Sequence, residues 1–468
     1  MSRPAATPPP SGGTALRLCL AAGLSLPVGV GLIMLGLLAG RPDVITVGLP
    51  VLLFVLWGWL VRPRRRGGFT LRGKDQQPRP GVIPALLGVE PADAVDLVQV
   101  RVNAPGHRSR EAVLDARRFR ADGAEPVEAA METVRTGRRD LFWVEWLEAG
   151  TAGVTRTEPE TAGPVPITVL PGLQRISLVP LPFRLQGLTG PHSWRRAGDG
   201  GDLHDVRMFA PGDRLRRIDW RVTARRAADR TGGFGGPGSS GLGSSGLAEL
   251  YVRRTYATAD ACVMLVLDSR DEIGPVVSSW GDATEVREDQ ATSLDIARVA
   301  ALSIADRFLA NGDRVGLEDL GRMQRPVRPA GGQQQARRLA LHLALAAPLG
   351  EPGRRERVPR LPSGSMIVLC STFLDDDVAR IAIDWHRAGH RVIAVDVLPR
   401  PVTRDLNPRG RTAFRMIMLE RTLRFRGLAR AGIELVRWDP RPVSESIGTT
   451  EVAPDAALAA MARVRRRR

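Results

Sequence analysis

Arginines and aspartates surround a tryptophan in the segment MFAPGDRLRRIDWRVTARR, residues 208–226. Acid–base catalysis needs carboxylates or histidines whose pKa values lie near the working pH. The arginines close to Asp213 and Asp219 would instead hold both carboxylates ionised. His204 lies nearby in the sequence without a nucleophile beside it, so a Ser-His-Asp triad would need partners from elsewhere in the chain. We therefore expect no catalytic residue in this segment.

A scaffold of ion pairs is the interpretation that these residue types favour. The tripeptide PGD is typical of a turn, and Leu215, Ile218 and Trp220 provide apolar anchors. Arginines such as Arg216 and Arg225 can then pair with the aspartates in fixed, bidentate hydrogen bonds. Such a cluster would either fix one edge of a sheet or present a rigid charged face to a partner. Both alternatives stay open at this point.

Nucleic-acid binding is the third possibility, because the chain carries a formal net charge of +17 and phosphate backbones attract clustered basic residues. Lys74 is the only lysine among the 67 basic residues. This bias toward arginine extends over the whole chain and is not confined to a patch. Much of the excess lies in Arg62–Arg66 and Arg463–Arg468. We therefore expect no nucleic-acid partner.

Two apolar segments, residues 16–40 and 44–61, are each long enough to cross a bilayer, which takes about 20 apolar residues. Together they predict a transmembrane hairpin within residues 1–66. A cleaved signal peptide would have a shorter apolar stretch and no second segment directly after it. Arginines follow the second segment, whereas the connecting loop holds only Arg41. The positive-inside rule therefore predicts a multi-pass protein of the cell membrane with both termini in the cytoplasm.

The next part of the chain divides by composition. Residues 67–88 are rich in glycine, proline and arginine and predict a linker. Residues 89–170 alternate apolar and polar side chains between glycine and proline turns, which predicts a small β-rich module of immunoglobulin-like type. Within it, EPVEAAMETVRTG fits either a helix or a strand. Residues 171–230 contain the arginine–aspartate segment, and residues 231–248 predict a flexible loop of glycine and serine.

Continuous apolar strands alternate with helical segments across residues 249–440. Strands that alternate with helices in this way predict an α/β domain with a doubly wound parallel sheet. Ligands of such sheets lie at the carboxyl ends of the strands, where Asp268 and Ser269 follow the first strand and Ser371 ends the third. Neither end carries a glycine-rich phosphate-binding loop, so we expect no nucleotide. Residues 441–468 form a basic tail, whose run Arg465–Arg468 could bind anionic lipid or nucleic acid, although such a run is more often a solubilising end or a weak lipid contact.

Cysteine usage indicates the compartment. Cys19 lies in the first apolar segment, and Cys262 and Cys370 lie in apolar runs that predict buried strands. Their spacing fits neither a metal site nor a disulfide framework. We therefore expect free thiols, with the soluble part of the chain in a reducing compartment.

Two stretches, GDLHDVRMFAPGDRLRRIDWRVTARR and LYVRRTYATADACVMLVLD, resemble the signature of a bacterial family named domain of unknown function fifty-eight. Its members carry Arg-x-Tyr-x-x-Gly-Asp, then Arg-x-Ile-Asp-Trp, then a small residue with Ala-Arg. The matching positions here are Arg207, Gly212, Asp213, Arg216, Ile218, Asp219, Trp220, Thr223, Ala224 and Arg225. Phe209 stands where the family usually has tyrosine. The resemblance extends weakly from about Val165 to Asp396.

The resemblance implies a von Willebrand factor A-like domain on a membrane anchor, associated with MoxR-type AAA+ ATPases. It also implies a role in the assembly or maturation of other proteins, and the family has no established catalytic activity. We therefore expect a non-enzymatic adaptor or scaffold. Its contact with the ATPase or a client would lie at the strand ends around Asp268, Ser269 and Ser371.

One departure from related domains concerns metal binding. Many von Willebrand A domains bind a divalent cation through Asp-x-Ser-x-Ser after the first strand, but here the residues are DSRDE, so both serine positions are lost and Arg270 adds a positive charge. Mg²⁺ prefers oxygen ligands, and at Asp268 it would need help from Asp271, Glu272 and Asp375. We expect no cofactor, and the simpler expectation is that Asp268 pairs with Arg270 or caps a loop. The alternative function is a metal-dependent, membrane-bound hydrolase that uses Asp268, Asp271 and Glu272.

Overall fold

The computed structural model describes most of the chain. The described residues are 16–74, 81–120, 126–186, 190–231, 250–280, 286–287, 289–322, 325–349, 358–438 and 453–464. The chain divides into an N-terminal unit, Met1–Gly172 with Thr284–Ala291, and a C-terminal unit, Leu173–Ala283 with Thr292–Arg468. The loop predicted at residues 231–248 lies outside the described residues, apart from its first residue.

Two apolar helices, α1 (Leu20–Leu38) and α2 (Pro42–Leu60), belong to the N-terminal unit. Each has 19 residues, and both are long and apolar enough to cross a membrane. The helices approach closely at glycines, because a Cβ atom added to Gly48 would lie 2.9 Å from the carbonyl oxygen of Gly29. Small residues permit such close packing between apolar helices.

Short antiparallel strands form the rest of the N-terminal unit. They are β1 (Leu16–Leu18), β2 (Gly68–Gly73), β3 (Val82–Glu90), β4 (Val95–Asn103), β5 (Arg110–Asp115), β6 (Val127–Glu132), β7 (Gly137–Leu141), β8 (Trp143–Gly150), β9 (Thr155–Thr157), β10 (Glu160–Ala162) and β11 (Val165–Val169). One sheet has the order β1-β9-β8-β4-β5 with β10 also paired to β8, another has the order β2-β3-β6, and β7 pairs with β11. Their buried apolar side chains form a shared core. The β-rich module is therefore present, and its immunoglobulin-like type stays a prediction.

The linker predicted at residues 67–88 is wrong. Strand β2 and most of β3 lie in this segment and pair with each other. Phe69 and Leu71 in β2, and Ile83 and Ala85 in β3, are buried at alternate positions, which is the period-two pattern of a strand with one face in the core. The glycines, prolines and arginines around these strands hid that pattern. The ambiguous segment EPVEAAMETVRTG contains strand β6.

Strands and helices alternate in the C-terminal unit, as predicted. They are β12 (His192–Met208), α3 (Trp220–Thr231), β13 (Tyr251–Ala259), β14 (Cys262–Leu267), α4 (Ser293–Ala310), β15 (Arg314–Asp319), β16 (Val327–Ala330), α5 (Gln333–Leu345), β17 (Met366–Ser371), α6 (Asp376–Arg387), β18 (Arg391–Asp396), α7 (Pro408–Arg430), β19 (Glu434–Arg437) and α8 (Pro454–Val464). The main sheet has the order β16-β15-β14-β17-β18-β19. Its neighbouring strands are parallel, except that β16 runs antiparallel to β15. Strands β12 and β13 form a separate antiparallel pair.

The strands predicted from continuous apolar runs are confirmed. Every residue of β14, β17 and β18 is buried, as expected of strands covered on both faces. Two of these strands carry Cys262 and Cys370 as buried free thiols. Helix α4 begins with a capping box, in which the side chains of Thr292 and Asp295 each accept a hydrogen bond from the other residue's backbone N–H.

The direction of strand succession reverses between β14 and β17. From β14 the chain moves outward to β15 and β16 on one side, and from β17 it moves to β18 and β19 on the other. The connections therefore diverge where the carboxyl ends of β14 and β17 lie side by side, which leaves a crevice at that point. Asp268 directly follows β14 and Ser371 ends β17, so the fold places both residues at this crevice.

Helix α8 lies within the predicted basic tail, of which the structure describes residues 453–464. Leu458 and Ala459 are buried. The Asp455 carboxylate accepts hydrogen bonds from the backbone N–H and the hydroxyl of Ser177, both at 2.8 Å. Alanine and leucine favour helix formation, so this part of the tail forms a packed helix of the C-terminal unit and is not only a charged extension.

Candidate functional site

Arg270 lies at the centre of the site formed where β14 and β17 end. Its Nε donates a hydrogen bond to Oδ1 of Asp268 at 2.8 Å, and its Nη2 donates to Oδ2 of Asp375 at 2.6 Å. Nη2 also lies 3.3 Å from Oδ2 of Asp268, and Nη1 lies 3.9 Å from Oδ2 of Asp377. The expected pairing of Asp268 with Arg270 is confirmed, and the structure adds two carboxylates from the start of α6.

Serine hydroxyls connect this ion pair to the neighbouring strand ends. The Ser371 hydroxyl donates to Oδ2 of Asp268 at 2.7 Å, and the Phe373 backbone N–H donates to the Ser371 oxygen at 3.1 Å. The Ser269 hydroxyl donates to Oδ1 of Asp319, the last residue of β15. The polar groups at the ends of β14, β15 and β17 therefore bond to one another.

The residues at this edge are too buried for the partner contact expected there. The side chains of Asp268 and Arg270 are only 7% and 6% exposed, and Ser269 and Ser371 are 0% and 1% exposed. Because their polar atoms bond inside the unit, these residues offer little surface to another protein. Asp375 is the more accessible member of the network, with 41% of its side chain exposed.

Electrostatics hold Arg270 in its charged form. Burial alone would lower its pKa, but the hydrogen bond and charge of Asp268, together with the charge of Asp375, raise the pKa above the usual arginine value. Burial raises the pKa of Asp271, and the negative charge of Asp268 adds to this effect. Burial also raises the pKa of Asp319. The site is thus a set of carboxylates with a cation supplied by the protein itself.

The residues at this edge do not fit a divalent cation. Asp268 would be the ligand, but both of its oxygens accept hydrogen bonds from Arg270 or Ser371. Glu272 accepts a hydrogen bond from the Thr292 hydroxyl at 2.8 Å, beside the start of α4. Within the described part of the chain, no group of three or more His, Cys, Asp or Glu residues is arranged to hold a metal ion. The Arg270 guanidinium occupies the place where a cation would meet these carboxylates.

A second buried ion pair lies at the end of β18 and was not expected from the sequence. Arg421 of α7 donates from Nη2 to Oδ1 of Asp396 and from Nε to the backbone oxygen of Thr372, the latter at 2.7 Å. Its guanidinium carbon lies 4.5 Å from the ring centre of Phe425, and burial raises the pKa of Asp396. The one available signal was an aspartate at the end of an apolar strand, as at Asp268.

One half of the arginine–aspartate segment has a structural role. Nη2 of Arg207 donates to Oδ1 of Asp213 at 2.6 Å, and Oδ2 of Asp213 accepts from the Ala210 backbone N–H at 2.9 Å. Gly212 has φ +100°, a left-handed conformation that glycine adopts without strain. The turn predicted from PGD is therefore confirmed, with Asp213 closing it.

Ile218 and Asp219 attach the segment to β13 and begin helix α3. Ile218 is 9% exposed and forms a β-bridge with Val252. The Asp219 backbone N–H donates to the Tyr251 oxygen at 2.8 Å. Oδ1 of Asp219 accepts from two N–H groups of the first helical turn, both at 3.1 Å, which is the role of an N-cap residue.

The other half of the segment is exposed. Trp220 is 67% exposed and Leu215 is 65% exposed, and Arg216 and Arg225 are also exposed. The prediction that Leu215 and Trp220 act as apolar anchors is wrong, because Leu215 in the short turn of residues 215–217 and Trp220 at the start of α3 are both exposed, which leaves that role to Ile218. The segment is therefore core on one side and accessible surface on the other.

Comparison with known families matches residues 245–426 to a family described as Protein of unknown function DUF58. These residues form a DUF58 domain. The family resemblance inferred from the sequence is thus confirmed, and the match contains the network around Asp268 and Arg270. It begins after Arg225, so the arginine–aspartate segment precedes the matched part of the DUF58 domain. No curated protein matches this chain.

Proposed function

We propose that this DUF58 protein is a membrane-anchored, non-enzymatic adaptor or scaffold that works with a MoxR-type AAA+ ATPase in the assembly or maturation of other proteins. The observation that carries the proposal is the ion-pair network of Arg270. An α/β sheet usually binds its ligand in the crevice at the strand ends. Here Arg270 lies at the strand ends and pairs with Asp268 and Asp375, which favours action through contact surfaces over catalysis.

The topology of the C-terminal unit supports a von Willebrand factor A-like domain. Crossover connections between parallel strands are right-handed. The connection through α4 runs from β14 to β15, and the one through α6 runs from β17 to β18, in opposite directions along the sheet. Helices α4 and α6 therefore belong on opposite faces, which is a doubly wound arrangement and agrees with the fold that the family resemblance implies.

Helices α1 and α2 supply the proposed membrane anchor. Both are long and apolar enough for this role, and Arg62–Arg66 follow α2 directly. The positive-inside rule places these arginines, the C-terminal unit and both termini in the cytoplasm. An AAA+ ATPase has access to ATP in the same compartment.

Thiol labelling tests this topology. In a variant whose native cysteines are replaced by serine, Asp43→Cys introduces a thiol in the first turn of α2, next to the connection from α1, and Arg64→Cys introduces one after α2. We expect a membrane-impermeant maleimide to label residue 43 in intact cells and residue 64 only after the membrane is permeabilised. The reverse pattern would contradict the proposed orientation.

The proposed contact lies on the exposed half of the arginine–aspartate segment. Trp220 and Arg216 are accessible there, whereas Asp268 and Ser371 are occupied within the C-terminal unit. Tryptophan and arginine are the residue types that contribute most often to binding energy at protein interfaces. This assignment moves the expected contact away from the strand ends.

Cross-linking in native membranes tests the adaptor role. The full-length wild type is compared with a variant carrying Arg216→Ala and Trp220→Ala. A matched control carries Arg337→Ala and Leu341→Ala, which removes one exposed arginine and one exposed apolar side chain from α5. We expect mass spectrometry to identify an AAA+ ATPase with wild type and control, and much less with the first variant. Absence of an ATPase from the wild-type sample would contradict the adaptor role.

A metal-dependent hydrolase remains the alternative, but no contact among the described residues favours it. A ligand that binds the folded state raises apparent stability. Because Arg270 already pairs with the carboxylates, we expect millimolar Mg²⁺ or Mn²⁺ to leave the melting temperature of the full-length protein unchanged. A rise in melting temperature that Asp268→Ala abolishes would contradict the network and favour the hydrolase.

A further inference from the structure

A concave surface lies next to the exposed half of the arginine–aspartate segment. Four large side chains line it, and we call it the Arg–Trp surface after them: Arg216, Arg217, Trp220 and Arg253. Its volume is about 650 Å³, and its lining residues come from the segment itself, from strand β13 and from Gly200 and Gly201 of β12. Ile218 and Val252 join these two pieces of chain through a β-bridge, so the surface is held in shape by backbone pairing.

The Arg–Trp surface carries excess positive charge. Residues 213–226 contain six arginines and two aspartates. Both aspartates already bond within the fold, Asp213 to Arg207 and Asp219 to the start of α3. Among the residues that the structure describes, no carboxylate forms an ion pair with Arg216 or Arg253. These guanidinium groups are therefore available to a carboxylate from outside, which they can bind through two parallel hydrogen bonds.

Apolar side chains accompany this charge. Trp220 and Leu215 are each about two-thirds exposed and lie beside Arg216 and Arg217 in the sequence. Exposed apolar side chains that cluster at one place are typical of a binding site. Tryptophan and arginine are both enriched in protein interfaces relative to the rest of the surface, and among the residues that contribute most of the binding energy.

We infer that the Arg–Trp surface binds an acidic, extended peptide segment of a partner protein, in which carboxylates alternate with apolar side chains. The inference rests on the proposed adaptor function and names the chemistry of its partner. Arg216 and Arg253 pair with the carboxylates, and Trp220 packs against the apolar side chains. A nucleic-acid duplex presents a continuous row of phosphates and a bilayer presents a broad plane, whereas this surface is concave and partly apolar.

Peptide titration of the full-length protein in phosphatidylcholine nanodiscs tests the inference. The probe is a fluorescein-labelled peptide of ten residues that alternates glutamate and leucine, followed by fluorescence anisotropy. We expect binding that weakens as salt is added, because salt screens exposed charges. We expect the variant with Arg216→Gln and Arg253→Gln, and separately Trp220→Ala, to weaken binding by about tenfold or more, equivalent to about 1.4 kcal/mol.

Control measurements distinguish binding at this surface from general attraction of the peptide to a positively charged protein. The variant with Arg337→Gln and Arg338→Gln removes two exposed arginines from α5 and should bind the peptide as the wild type does. No binding by the wild type, or an equal loss in this control, would overturn the inference. Equal binding of a peptide that alternates lysine and leucine would overturn it as well.

Competing ligands provide the last outcomes. The same assay is repeated with a single-stranded oligonucleotide and with phosphatidylserine vesicles. If one of them binds while the acidic peptide does not, and its binding is lost with Arg216→Gln and Arg253→Gln, the surface has a different ligand and the inference is overturned. This titration contains no ATPase, so its failure is distinct from failure of the adaptor role. If an ATPase is still cross-linked to the protein in membranes, the adaptor function is supported, and its contact is of a different kind.

Discussion

Arg270 combines burial with a full positive charge, which Asp268 and Asp375 balance through hydrogen bonds. Replacing Arg270 with alanine would leave the Asp268 carboxylate buried without a cation. Removing one partner of a buried pair costs about 3–5 kcal/mol. We expect Arg270→Ala to lower the free energy of unfolding of the C-terminal unit by that amount, as measured by pulse proteolysis of the full-length protein in urea.

A double variant provides the control for this loss. Asp268→Asn, added to Arg270→Ala, removes the uncompensated charge while its amide oxygen can still accept the hydrogen bond from Ser371. We expect part of the lost stability to return. If the single variant is as stable as wild type, or if the double variant is less stable than the single one, the network is not the ion-paired unit described above.

The protonation of Asp319 makes the free energy of unfolding depend on pH. Burial raises the pKa of this carboxyl in the folded chain, so the folded state binds the proton more readily than the unfolded state. Its contribution to stability is complete below the ordinary aspartate pKa of about 3.9 and is lost as pH rises through the folded-state value. Asp319→Asn removes this titration and keeps an acceptor for the Ser269 hydroxyl. We expect the unfolding free energy of wild type to fall more steeply than that of the variant above pH 4, and parallel curves would contradict this.

At the scale of elements, the close contact of α1 with α2 depends on residues without a side chain. A Cβ atom on Gly48 would lie 2.9 Å from the backbone oxygen of Gly29, whereas one on Gly31 meets nothing within 4 Å. We expect Gly48→Leu to separate the helices and to lower the temperature at which the detergent-solubilised protein aggregates. Gly31→Leu adds the same side chain on α1 and should leave that temperature near the wild-type value. Similar shifts for both variants would contradict the packing.

Elements differ in how far the sequence predicts them. Strands β14, β17 and β18 were predictable because both of their faces are buried, so their residues form continuous apolar runs. Strands β2 and β3 were missed because glycine and proline flank a short alternating pattern. Helix α8 was missed because the arginines at residues 463–468 led to the interpretation of the whole segment as a charged tail, although the residues around Leu458 and Ala459 are rich in alanine. Local composition therefore misled where an element depends on one buried face.

At the scale of the whole molecule, part of the candidate site follows from sequence. Strand ends that meet at one edge predicted that Asp268 and Ser371 lie together, and the short distance between Arg270 and Asp268 in the chain predicted their pairing. The contributions of Asp377 and Arg421 depend on where α6 and α7 pack, which the sequence pattern does not specify. Trp220 was expected to act as an apolar anchor of the segment, and only the folded backbone shows that it is exposed.

Site-specific photo-cross-linking tests the central claim most directly, namely that the exposed half of the arginine–aspartate segment contacts an AAA+ ATPase at the membrane. A photoreactive amino acid replaces Leu215, which is 65% exposed, or Met416 on α7, which is 61% exposed and serves as the matched control. We predict an adduct with an AAA+ ATPase from residue 215 and none from residue 416 in native membranes. Equal adducts at both positions, or no ATPase adduct at residue 215, would contradict the account.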